Sequence, residues 1–304
     1  MRDRWTAPIQ SLGRFSQLLM SFTQLSHIEC FCISLTEDLL ISLGNLPKLV
    51  TLHCRMNLQD NSTLALRLTQ ELFPSLRNLK VYGESFPHEP VELLQTCAMP
   101  TFRCIQLYLT QQPKAVAVHS LVCAASKGHR LLQEVVISVT WPTDANENLV
   151  VTDAVIEPLF QCHDLRVLIL AKCVSGLNDA SFGRMAAAWP NLEELHLGHA
   201  APSAYSRVTH RVLHSVATRW SKLRSFGTMI DFASLSRANI EDPDLPTYPT
   251  MKILYPESSI PLEGADETLY DALLSAMFPS ASVKHVYDHK GLREVRDIRI
   301  HWHA

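Results

Sequence analysis

Several features that would name a chemistry are missing from this 304-residue chain. No run approaches the ~18 consecutive apolar residues of a membrane span. The opening Met1-Arg-Asp-Arg-Trp5 lacks the apolar core of a secretory leader. Glycine occurs only 10 times and never clusters into a phosphate cradle. No P-loop, dinucleotide fingerprint or G-x-S-x-G elbow is present. A strong positive field is absent too. The net charge of −3 argues against a sequence-independent grip on nucleic acid. Eight cysteines are present without a zinc or disulfide framework. Cys30-Phe-Cys32 has one intervening residue rather than two. Cys30, Cys54, Cys104, Cys162 and Cys173 lie in apolar stretches, where free cysteine acts as a small hydrophobe. His210 and His214 are four apart, but Arg211 and Val212 stand where a metalloprotease helix would carry its glutamate. These absences lead to a cytoplasmic or nuclear, hence intracellular, protein with no catalytic, cofactor or metal residues assigned.

What the chain does hold is a recurring phrase. A bulky residue and a polar or proline spacer precede L-x-x-L-x-L. The clearest copies are Phe73-Pro-Ser-Leu76-Arg-Asn-Leu79-Lys-Val81 and Trp189-Pro-Asn-Leu192-Glu-Glu-Leu195-His-Leu197. Cys162-His-Asp-Leu165-Arg-Val-Leu168-Ile-Leu170 is a third. Looser copies start their anchors at Leu25, Leu49, Phe102, Leu132, Leu223 and Met251. The first anchors recur every 24 to 33 residues, against about 20–29 for leucine-rich repeats generally. The second and third anchors, two apart, point to the same face of a short strand.

Helical patterns fill the intervals. Thr36-Glu-Asp is a start signal and Gly44 a stop. Leu64, Leu68 and Leu72 are spaced as on one helix face. Pro113 to Gly128, Asp179 to Trp189, Val208 to Trp220 and Asp266 to Phe278 complete the set. One strand and one helix per unit predict an α/β leucine-rich-repeat solenoid, a horseshoe of eight or nine units with parallel concave strands and convex helices. The whole span 1–304 is read as one domain, with 291–304 as its C-terminal cap. Trp141 to Asn148 is a polar insertion, and Asp231 to Pro249 an irregular proline-rich loop. Trp189 and Trp220 are expected to plug the core.

The same alternation gives the residues that face away from the core. They are His27 and Glu29, Thr51 and His53, Asn78 and Lys80, Cys104 and Gln106, Glu134 and Val136, Val167 and Ile169, Glu194 and His196. Tyr82 and Tyr108 follow the third anchor. An apolar centre inside a polar rim is ordinary interface anatomy. The expected partner-binding set is therefore Tyr82, Tyr108, Glu134, Val136, Val167, Ile169, Glu194 and His196.

The stretch 178–230 resembles the repeat region of fungal F-box proteins with leucine-rich repeats. The phrases that carry the likeness are Met185-Ala-Ala-Ala-Trp-Pro-Asn-Leu-Glu-Glu-Leu-His-Leu-Gly198, Val208-Thr-His-Arg-Val-Leu213 and Trp220-Ser-Lys-Leu-Arg-Ser-Phe226. Ala272-Leu-Leu-Ser-Ala-Met-Phe-Pro279 is similar to the last helix of that family. The resemblance implies the target-recognition part of a ubiquitin ligase receptor. Repeats there hold a protein target and an F-box holds a Skp-type adaptor. No F-box phrase precedes the repeats, so adaptor binding is expected only if one lies upstream. No nucleic-acid or membrane partner and no cofactor is expected. The alternative function is a repeat-based enzyme regulator, or an enzyme with its site on the edge loops.

Overall fold

A computed structural model describes residues 21–56, 68–69, 71–84, 86, 88–139, 149–171, 173–198, 206–232, 235–258 and 267–283. The start of the helix expected from Asn61, the Trp141–Asn148 insertion and the 291–304 cap lie outside these residues, whereas Leu68 and Leu72 of that expected helix are described and lie outside any helix.

Among the described residues twelve strands are formed: β1 (His27–Ser34), β2 (Thr51–Arg55), β3 (Asn78–Gly83), β4 (Cys104–Leu109), β5 (Glu134–Val139), β6 (Val150–Val151), β7 (Val167–Ala171), β8 (Val174–Ser175), β9 (Glu194–Gly198), β10 (Ser225–Ile230), β11 (Ile253–Ser258) and β12 (Ser282–Val283). Ten of them make one open sheet in the order β1-β2-β3-β4-β5-β7-β9-β10-β11-β12. Every pairing is parallel. Strands β6 and β8 pair separately. The helices are α1 (Glu37–Gly44), α2 (Glu89–Thr96), α3 (Ala115–Gly128), α4 (Asp153–Ile156), α5 (Asp179–Ala188), α6 (Arg211–Arg219), α7 (Arg237–Ile240) and α8 (Glu267–Met277). Parallel neighbours need a crossover, and these helices, where described, supply it. The result is an array of strand–helix units of the leucine-rich-repeat kind. None of these helices is long and apolar enough to cross a membrane.

The anchors explain the register. Leu52, Leu79, Ile105, Val135, Leu168, Leu195 and Phe226 are successive cross-strand partners. All are at most 1% exposed and belong to one core with the helix residues Leu40, Leu93, Val118, Phe182 and Val212. Each phrase also builds the same turn. The first anchor's N–H donates to the carbonyl three residues back, as in Leu76 to Phe73 at 3.2 Å, Leu165 to Cys162 at 3.1 Å and Leu192 to Trp189 at 3.2 Å. The turn after it forms a second regularity. The N–H groups of Val50 and Thr51 both donate to the Ser26 carbonyl, those of Arg77 and Asn78 to Val50, and those of Glu193 and Glu194 to Arg166. This rail continues to Lys252 and Ser282.

The bulky residue before each turn is a buried plug. Trp189 and Trp220 are fully buried, as expected. Their polar atoms are satisfied across units. Trp189 Nε1 donates to the Leu159 carbonyl at 3.0 Å, and Trp220 Nε1 to the Trp189 carbonyl at 3.1 Å. The Tyr248 hydroxyl then donates to the Trp220 carbonyl. A buried indole N–H must find such a partner.

Four expectations change. First, Gly44 is the last residue of α1 rather than a residue beyond it. Its lack of a side chain admits the next unit's plug, since a Cβ there would meet Phe73 Cε2 at 2.9 Å. Second, among the described residues the unit between β5 and β7 has no full helix. It has the single turn α4 followed by a 3-10 turn, Glu157–Gln161, opened by Pro158. Third, the 231–249 loop is not irregular throughout. It contains α7, closed by a Ser236–Asn239 capping box, and it delivers the buried plug Tyr248. Fourth, β12 is a tenth rung that the repeat count of eight or nine leaves out.

Candidate interaction surface

The face of the sheet turned from the core carries two columns of side chains. The first runs His27, Thr51, Asn78, Cys104, Glu134, Val167, Glu194, Ser225. The second runs Glu29, His53, Lys80, Gln106, Val136, Ile169, His196, Gly227 in the same rungs. The alternation read from the phrases is thus the alternation built.

The eight expected residues fall into two neighbouring groups. Tyr82 and Tyr108 are cross-strand partners whose rings stack at 5.2 Å and 18°. Lys80 Nζ lies 4.8 Å from the Tyr108 ring centre and 5.5 Å from that of Tyr82, within the range of cation–π attraction. Phe31 meets Tyr82 edge-on at 5.0 Å and is 42% exposed. Sequence reading missed Phe31. The signal was there, because Phe31 follows the third anchor Cys30 just as Tyr82 follows Val81. A sheet irregularity between Cys30 and Ser34 sets it apart from the other rungs. Arg55 and Glu84 pair at 2.8 Å beside this aromatic ledge.

The second group lies on β5, β7 and β9. Val167 sits between Glu134 and Glu194 in register. All three are half-buried, as is Ile169. Val136 differs, being only 3% exposed. It offers a partner little surface, which corrects its place in the apolar centre. Polar groups are also drawn into this zone. Gln106 is buried and its amide donates to the Glu134 carboxylate. Burial pushes the Glu134 carboxyl above its ordinary range. Glu194 is also raised, by burial first and then by the charge of Glu134. Burial holds His196 down at about 4, so it is neutral at pH 7. Its Nε2 shares a hydrogen bond with Ser225 Oγ at 2.8 Å. A histidine held so low is a weak base, and the pair reads as a satisfied sheet contact rather than an activated nucleophile.

The edge where the strands begin has its own character. The rail positions Arg77, Arg103, Arg166, Arg224 and Lys252 carry exposed cations, despite the chain's overall negative charge. A recess of 540 Å³ near β10 and β11 is lined in part by Lys222, Arg224, Lys252 and Glu193. Glu193 is taken up by Arg166, whose Nε lies 2.8 Å away. Among the described residues that lining holds no histidine or cysteine.

The metal spacing weighed at His210 and His214 comes apart. His210 is buried at the cap of α6, whereas His214 is exposed. Among the described residues no cysteine is in a disulfide. Burial pushes the Cys97 and Cys162 thiols up to about 11.

No family model matches the chain, and no curated protein matches it. Among solved structures it is similar to the crystal structure of the yeast Rad7 and Elc1 complex. Identity there is 15%, over 88% of this chain and 72% of that one, with a TM-score of 0.47. It is also similar to a Bacteroides fragilis protein at 11% identity, over 90% of this chain and 82% of that one, with a TM-score of 0.40. At these scores the likenesses carry no weight for function, and the fold rests on the register, turns and rails described above.

Proposed function

We propose that the chain is a protein-interaction platform that holds a protein target on the open face of its sheet. One observation carries this reading. Large side chains gather on that face: Phe31 meets Tyr82 edge-on, Tyr82 and Tyr108 stack as register partners, and Val167 and Ile169 stand two strands further on. Stacked tyrosines crossed by a lysine form a stiff, amphipathic patch, and such residues are common anchors of binding energy. In this reading the array is a single horseshoe-shaped domain whose open face is concave, capped by 291–304. Its role is the target-recognition part of an F-box-type ubiquitin ligase receptor. Contact with a Skp-type adaptor enters this reading only if an F-box lies upstream of these repeats, and it does not use the open face.

The test pairs two variants with one control. Val167→Asp with Ile169→Asp places charge in the centre of the face. Tyr82→Ala with Tyr108→Ala removes the ledge. Lys222→Glu alters the far edge only. Each variant is first shown to melt cooperatively. Partners recovered with the wild type are then compared. Specific partners should be lost with both face variants and kept with Lys222→Glu. Folded face variants with an unaltered partner set would remove this surface from consideration.

A further inference from the structure

At the first two rungs, three donor groups converge that the interaction reading does not use. His27 and Glu29 are two apart on β1 and so share its open face. His53, on β2, is the register partner of Glu29. His27 Nε2 lies 3.1 Å from Glu29 Oε1, and His53 Nδ1 lies 3.0 Å from the same oxygen. The three ligand atoms all fall within 4.8 Å of one another. Among the described residues no other trio of histidine, cysteine and carboxylate side chains comes together in this way.

The spacing is informative. A tetrahedral ion with bonds of about 2.0–2.1 Å sets its donors roughly 3.3 Å apart. The two nitrogen–oxygen distances are already within a few tenths of an ångström of that value. Only the two imidazoles need to draw closer, and His27 and Glu29 are exposed enough to turn. The His53 ring is steadied on two sides. It meets His27 edge-on at 5.3 Å and stacks on Phe31 at 6.2 Å.

We propose that His27, Glu29 and His53 form a binding site for a zinc-type divalent ion, with water in the remaining position. The donor set gives the class of ion. Imidazole nitrogens suit zinc, cobalt and nickel, whereas magnesium and calcium ask for oxygen ligands alone. On binding, the ion replaces the two hydrogen bonds to Glu29. Each ring then turns a lone pair to the ion and carries its proton on the other nitrogen. The donors stand on paired strands rather than on a loop, which fixes their spacing before the ion arrives. The inference is independent of whether the open face holds a protein.

Calorimetric titration of the full chain, freed of any histidine tag, with Zn²⁺ tests the site. The visible spectrum of added Co²⁺ reports tetrahedral coordination. One saturable Zn²⁺ site per chain is expected, with no comparable uptake of Mg²⁺. Glu29→Gln and His53→Ala should each weaken Zn²⁺ at least about tenfold, because even the loss of a ligand's supporting partner costs about 10–100-fold. The double variant His163→Ala with His214→Ala, two exposed histidines elsewhere, should bind as the wild type does. If His53→Ala fails to fold, the exposed Glu29→Gln decides alone. Absence of saturable Zn²⁺ binding, or Glu29→Gln binding as tightly as the wild type, overturns the proposal. Loss of binding in the His163/His214 control does so too.

Discussion

Replacing Trp220 by Phe isolates one link of the plug ladder. Two losses follow from the geometry. The indole N–H no longer reaches the Trp189 carbonyl, a bond of 3.1 Å. That carbonyl still accepts the Leu192 N–H at 3.2 Å, so it is not orphaned. The bond is therefore worth an ordinary net amount, about 0.5–1.5 kcal/mol. The smaller ring also gives up buried apolar surface equal to about two methylenes, roughly 1.5 kcal/mol. The sum is a destabilisation of about 2–3 kcal/mol. The assay is urea unfolding followed by circular dichroism, comparing midpoints at unchanged slope. Trp189→Phe is the internal check. Its target, the Leu159 carbonyl, likewise keeps a second donor, the Cys162 N–H at 2.8 Å. The two variants should then agree within about 1 kcal/mol, since the chemistry removed is the same. A Trp220→Phe cost below about 0.5 kcal/mol, within the range of surface substitutions, would refute the ladder as a source of stability.

Leu195→Ala, at a fully buried anchor between Leu168 and Phe226, should cost about 3–5 kcal/mol in the same assay. The strands on both sides are pinned, so the cavity cannot collapse. Gly44→Ala should destabilise by about 1–3 kcal/mol, because the added Cβ meets Phe73 Cε2 at 2.9 Å. Phe73→Leu should relieve part of that cost, which a double-mutant cycle reads directly. The pH dependence of Glu134 has a definite sign. Burial raises its folded pKa above the unfolded value, so its contribution favours folding at low pH and is lost as pH rises through the folded pKa. Glu134→Gln is uncharged throughout. Its stability relative to wild type should therefore grow between about pH 4 and pH 7, measured by thermal melts at fixed ionic strength.

How much of this was legible in the sequence depends on distance along the chain. The anchors were, because three inward residues per unit repeat the same local pattern and those from Leu49 to Phe226 are all buried. The outward columns followed from the same alternation. Elements that broke the pattern were lost. Helix α2 opens with buried Glu89 and Pro90, and no helix was expected there. Strand β12 follows Phe278-Pro-Ser-Ala281, a copy of Phe73-Pro-Ser-Leu76 with alanine at the first anchor. Its turn still closes, Ala281 N–H to the Phe278 carbonyl at 3.0 Å, since the bond is made by the main chain. What the sequence hides is which outward residues meet. Glu134 takes its partner from Gln106, and His53 meets Glu29 across a loop and a helix. Those encounters depend on strand register, and so does the burial that shifts Glu134 and His196.

The carbonyl rail gives the array a direction, as a filament has two unlike ends. Each strand begins by handing two N–H groups to the unit before it, and offers one carbonyl to the unit after. Trimming from the two ends is then unequal. Removing β12 frees the Lys252 carbonyl, which water readily serves. Removing the amino end through Ser26 and β1 strips the acceptor from both Val50 and Thr51, leaving two donors at once on an open strand edge, a template for pairing with another chain. Shortened versions of the protein should therefore tolerate loss from the carboxyl end better than loss from the amino end, and growth of such arrays by duplication should be easier at the carboxyl end as well.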